Sequence, residues 1–335
     1  MMQWKDRWFD DWSKGFDFAQ KQAITGIVFE EIERNHSYSA SMPEMLLFQW
    51  IGTVEQIKHQ NHLLDNEVEA LATLLDSHSI RYAVVKGQVV ASYYEKPEYR
   101  QSGDVDFYVQ EEDVERAKEL ICREWGVEMD KGDSPYHYHF EHGGVTFEMH
   151  FRLFQWYQKK RELYWQEILH KAMGHSVKIG STKVATLEPT VHTLYVFMHL
   201  YHHLVELGVG LRQFCDLAMM LKVDIDKELL RKHLETLGLE RAFRACEYVL
   251  KNYLGLDEKY LPYIITDSDK KYGRRMISVV LYRGNMGHYN KRHGWSGLGH
   301  QLESACIKIT HFVKFFWLSP EYHLGWMAKR LKLIK

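Results

Sequence analysis

From residue 41 to residue 78, apolar positions recur three and four apart, with Leu63, Val68, Leu71 and Leu74 along the later turns. That spacing predicts one amphipathic helix, for which Ser41 and Pro43 supply a start. Residues 1–79 as a whole read as helical. The period changes at residue 80, where IRYAVVKG is a short β-branched run ended by Lys-Gly, the pattern of a buried strand closed by a turn. QVVASYY predicts a helix and EKPEYRQSG a loop. DVDFYV is a second strand, and EEDVERAKELICREWG an amphipathic helix whose leading acids suit the N-terminal dipole. YHYHFEHGGVTFEMHF alternates strictly on either side of Gly143-Gly144, which predicts a hairpin. Residues 151–190 carry little pattern beyond one strand in TKVATLEP, and from Glu188 onward helical spacing dominates, interrupted at the Gly-rich residues 283–300. The expected organisation is α+β, a small mixed sheet with helices. It divides into a helical region over 1–79, a core over 80–187 and a helical region over 188–335.

Composition narrows this picture only a little. Hydrophobic residues make up 45% of the 335 and charged residues 26%, an ordinary globular balance. A net charge of -2 gives no global case for binding a long nucleic acid. Cys122, Cys215, Cys246 and Cys306 are scattered with no CxxC pair, which fits a reducing cytoplasm rather than a disulfide framework. No apolar run is long enough to span a membrane, and the first residues lack the apolar segment of a signal peptide.

The chemistry concentrates on two strands. Asp104 and Asp106 are one residue apart, so both project from one face of their strand. Like charges so close ask for a cation between them. If Gly143 and Gly144 form a two-residue loop, His139 pairs with Glu148 and His137 with His150. One hairpin face then carries His137, His139, Glu141, Glu148, His150 and Arg152. The other carries Tyr136, Tyr138, Phe140, Phe147, Met149 and Phe151, and is the core face. Glu148 becomes a third carboxylate beside Asp104 and Asp106, and such a trio can hold one or two hard divalent ions. Upstream, the Lys86-Gly87 turn allows close backbone approach to a triphosphate, with Lys86 adding charge.

This order of Lys-Gly, a loop ending in Arg100, DVD and then FEMH resembles the uncharacterised nucleotidyltransferase family of the DNA polymerase beta-like superfamily. The resemblance covers roughly residues 70–225. It implies a minimal nucleotidyltransferase core, magnesium on Asp104, Asp106 and Glu148, and a role for Glu148, with His150 beside it, in activating an acceptor hydroxyl. It also implies that Lys86, Gly87, Gln88, Arg100, His199 and His203 contact the nucleotide, the two histidines matching a pair that precedes an aspartate helix, here with Asp216. Gln88 stands where the wider superfamily usually has Ser or Gly. The implied reaction moves a nucleoside monophosphate from a nucleoside triphosphate, ATP in the first instance, to a hydroxyl of an unspecified acceptor.

Each residue also has a plainer reading. The aspartates can be a solvated strand start, and the hairpin face can simply meet water. Lys86 can be a surface lysine, and Arg100 can pair with Asp104 or Asp106 for structure alone. His199 and His203 share a helix face and can be packed bundle histidines. The basic, aromatic C-terminal end reads as helix packing or as contact with anionic lipid or an acidic partner. Two other functions stay open: a non-catalytic nucleotide-binding partner protein, hinted at by Gln88, and a zinc-dependent hydrolase on the His137, His139, Glu148 and His150 face.

Overall fold

In the computed structural model of the chain, the described residues are 11–131, 136–206, 208–287, 289 and 297–330. Residues 288 and 290–296 of the Gly-rich stretch and the last five residues, part of the basic C-terminal end, lie outside them, as do the first ten residues.

Three short helices, α1 (Trp12–Lys21), α2 (Thr25–Arg34) and α3 (His36–Ser41), lead into the 34-residue α4 (Glu44–Ser77). Ser41 closes α3, its hydroxyl donating to Tyr38 O, so the start of α4 falls to Pro43 without a side-chain cap. The buried face of α4 steps through Trp50, Val54, Ile57, Asn61, Leu64, Val68, Leu71 and Leu75, the three-four spacing of a single seam. Its first half joins a core built from helices, and its second half joins a core under the sheet. Asn61 is the polar step in that seam. Its Nδ2 donates to Glu98 O and Arg100 O, each at 2.8 Å, and so pins the loop that leads to Asp104.

The sheet has the order β1 (Tyr82–Val85), β2 (Val105–Val109), β4 (Val145–His150), β3 (His137–His142), with β2 and β4 parallel and the two outer pairs antiparallel. Gly87–Ala91 forms a single short helix, α5, after β1. Val105, Phe107, Val109, Val145, Phe147 and Met149 point into the core beneath. The intervening residues of β2 and β4, Asp106, Glu148 and His150 among them, therefore share the opposite face. The hairpin turn uses Gly143 (φ 56) and Gly144 (φ 77), the paired positive φ that a two-residue turn demands. His137 faces His150 and His139 faces Glu148, as the alternation predicts. The acids Glu111–Asp113 form a 3-10 turn, and α6 (Val114–Trp125) follows, ended by Gly126 in the left-handed region.

The weakly patterned stretch after the hairpin folds into α7 (Lys159–Ala172) and a separate two-stranded ribbon, β5 (Met173–Ile179) with β6 (Thr182–Leu187). The ribbon abuts β1, where Thr186 Oγ1 donates to Val84 O at 2.7 Å. Helices α8 (Pro189–Glu206), α9 (Leu211–Lys222), α10 (Lys227–Leu237), α11 (Glu240–Leu254), α12 (Asp267–Arg283), α13 (Gly297–Phe315) and α14 (Pro320–Arg330) complete the α+β fold. Among the described residues no helix is long and apolar enough to cross a membrane.

Replacing Asn61 with Ala leaves two carbonyls without their donor. The expected loss is about 1–3 kcal/mol of unfolding free energy, read from a urea titration. An unchanged midpoint would mean that other contacts hold the loop.

Candidate functional site

The site begins where β1 ends. Lys86 takes φ 56, ψ -139, a region that L-residues rarely adopt and that costs on the order of 1–3 kcal/mol. Two contacts hold it there. Its N–H donates to His192 Nε2 at 3.2 Å, and its carbonyl accepts from Val90 N at 3.0 Å. The turn delivers the Lys86 ammonium to Asp106, with Nζ 2.6 Å from Oδ1.

Asp106 is only 3% exposed. Burial alone would push its carboxyl up, but Lys86 and His150 outweigh burial and hold it far below the usual range. His150 Nε2 lies 2.8 Å from Asp106 Oδ1 and 3.2 Å from Glu148 Oε2. Burial works against the His150 imidazolium, yet the two carboxylates win and raise its pKa. Glu148 follows the same pattern: burial raises it, and the hydrogen bond from His150 brings it below the usual value. Asp104 sits just ahead of β2, at the mouth of the cleft. The charge on Asp106, and then burial, push its carboxyl up, with Lys86 opposing. Oxygens of Asp104, Asp106 and Glu148 all lie within 4.8 Å of one another.

Helices form the other walls. His192, Tyr195, His199 and His203 recur along one face of α8, and the last three line a cleft of about 360 Å³ with the carboxylates. Burial pushes His192 and His203 down to about 3 and holds His199 well below its usual value, so these three imidazoles stay uncharged. From α9, Asp216 takes Arg100 in a two-pronged pair, with Nε–Oδ1 at 2.7 Å and Nη2–Oδ2 at 2.9 Å. Tyr94 donates a further 2.8 Å hydrogen bond to Asp216 Oδ1. Arg212, also on α9, borders the cleft and donates from Nη1 to Gln101 O at 2.6 Å.

Eleven of the residues singled out from the sequence therefore meet at one cleft: Lys86, Gly87, Arg100, Asp104, Asp106, His137, Glu148, His150, His199, His203 and Asp216. Gln88 does not line it. Its amide turns toward α4 and donates to Asp65 Oδ1 at 2.5 Å. Arg100 pairs with Asp216 rather than with Asp104 or Asp106. Sequence reasoning passed over His192, Tyr195 and Arg212. The first two carried a legible signal, since they continue the spacing of His199 and His203 by three and four along the helix.

A family model described as an uncharacterised nucleotidyltransferase matches residues 10–255. Among curated proteins no match is found. Among solved structures, the chain is similar to an antigenic nucleotidyltransferase-like protein from Paracoccidioides brasiliensis, at 18% identity and a TM-score of 0.38, over 58% of this chain and 93% of that one.

Asp216→Ala strands the Arg100 guanidinium without its carboxylate inside the fold. The expected loss is about 3–5 kcal/mol by chemical denaturation. The double variant Arg100→Met, Asp216→Leu should recover most of it. If the single variant unfolds like the wild type, the pair does not hold the α9 wall.

Proposed function

The chain belongs to the uncharacterised nucleotidyltransferase family, and from that premise we propose that it transfers a nucleoside monophosphate from a nucleoside triphosphate, ATP in the first instance, to the hydroxyl of an acceptor. The acceptor oxygen would bond to the α-phosphorus, the bond to the β-phosphate oxygen would break, and pyrophosphate would leave. One observation carries this reading. Three carboxylates converge within 4.8 Å at a cleft whose rim also holds Lys86.

The donor set suits magnesium, being all oxygen and including an Asp104 carboxyl whose charge is disfavoured by its neighbour until a cation arrives. Asp104, Asp106 and Glu148 would hold the ion, which supplies charge neutralisation for the triphosphate. The other tasks belong to the chain. Glu148 would accept the acceptor's proton, with His150 at 3.2 Å fixing its orientation. Lys86 would exchange Asp106 for a phosphate oxygen. The backbone at Gly87, left open by the missing side chain, would face the triphosphate. Arg100, His199 and His203 would border the nucleotide, and the two neutral imidazoles would keep the local dielectric low, which strengthens each of these attractions. In this reading residues 80–187 carry the chemistry, the helices after them carry the other walls, and α4 before them supports the sheet and the loop that leads to Asp104. We place the reaction in the cytoplasm, because all four thiols are free.

Asp106→Asn should lower magnesium-dependent release of pyrophosphate by roughly two to three orders of magnitude, with the circular dichroism spectrum unchanged. The measurement incubates each labelled triphosphate with a metabolite extract and identifies labelled products by mass spectrometry. Full activity in the folded variant, or activity undiminished by a chelator, would overturn the mechanism.

A further inference from the structure

The hairpin face offers nitrogen donors that an all-oxygen magnesium centre does not use. His137, Glu148 and His150 each place one donor atom within 4.8 Å of the other two. Strand pairing is the cause. His137 lies opposite His150 and His139 opposite Glu148 across β3 and β4, and facing residues of an antiparallel ladder hold their Cβ atoms about 5 Å apart. Four side chains able to bind metal thus leave one small patch of sheet. Glu148 Oε2 is 3.2 Å from His150 Nε2, while Glu148 Oε1 is 3.6 Å from His139 Nδ1 and 4.0 Å from His137 Nε2. Metal–ligand bonds of about 2.0–2.1 Å in a tetrahedron set neighbouring donors roughly 3.3 Å apart. The side chains already sit near that spacing. The rings of His137 and His150 are 4.7 Å apart, centre to centre. Two imidazoles with one carboxylate is a donor set that suits zinc and that magnesium avoids.

We propose that His137, Glu148 and His150 form a zinc site that shares Glu148 with the oxygen cluster, so that bound zinc withdraws Glu148 and inhibits the transfer reaction. The zinc site stands on the hairpin geometry alone, while its inhibitory effect rests on the transfer reading above. His139 lies on the flank of the site, its Nδ1 3.6 Å from Glu148 Oε1.

The full-length protein, stripped with a chelator and dialysed against zinc chloride with magnesium present, should retain one zinc per chain. Cobalt chloride in place of zinc should give the intense visible absorption of a tetrahedral centre. His137→Ala and His137→Gln should weaken zinc binding at least about tenfold and remove the cobalt band, whereas His203→Ala, on the opposite wall, should leave both unchanged. Absence of stoichiometric zinc in the wild type, zinc retained in folded His137 variants, or zinc lost only in His203→Ala overturns the site. Dialysis and the cobalt spectrum need no turnover, so they decide the matter whether or not transfer is found. Where transfer is measured, zinc should suppress the wild type more than His137→Ala. Equal suppression of the two overturns the inhibitory role.

Discussion

The cleft depends on how the charge of Asp106 is balanced. Parallel pairing of β2 with β4 sets Asp106 beside Glu148, and the preceding turn adds Asp104. Gathered in a partly dry place, three such groups would repel one another and take up protons. Lys86 and His150 prevent this by touching the same oxygen of Asp106, at 2.6 and 2.8 Å. The cost falls on the backbone, since Lys86 reaches its position only through a positive φ that His192 and the first turn of α5 hold in place. A buried, neutral histidine on α8 thus helps fix a cation on β1, and through it the acids on β2 and β4. The helical and sheet halves are joined at this point by electrostatics as well as by packing.

What could be read from the chain and what could not divide along physical lines. The hairpin register was legible because two adjacent glycines and strict alternation leave one solution, and a slip of one residue would send Phe140 and Phe147 to water. Convergence of Asp106 with Glu148 was legible for the same reason, as a matter of which face each occupies. Long-range pairing was not. Arg100 finds Asp216, 116 residues away, and nothing local announces it. The ribbon strand β5 was hidden because most of its residues are exposed or only half-buried and carry no apolar alternation. Gln88 looked like a cleft residue by its position after the glycine, but the short helix that begins there turns its side chain to Asp65. The seam of α4 was visible as a period, while the role of Asn61 within it needed the partner loop to be seen.

The two walls of the cleft differ in kind. The sheet wall is charged, with cations and anions interleaved at hydrogen-bond distance. The α8 wall is polar in its atoms, yet burial keeps the imidazoles of His199 and His203 neutral. A charged ligand would meet fixed charges on one side and weak, adaptable dipoles on the other. Its affinity would come from the first wall and its fit from the second.

The length of α4 has a consequence for modularity. At 34 residues it extends about 50 Å, and its two halves belong to different hydrophobic clusters. Shortening the chain to begin at residue 80 would strip Leu64, Val68, Leu71 and Leu75 from beneath the sheet and release the loop before Asp104. The strands that bear the acids are therefore not a portable cassette.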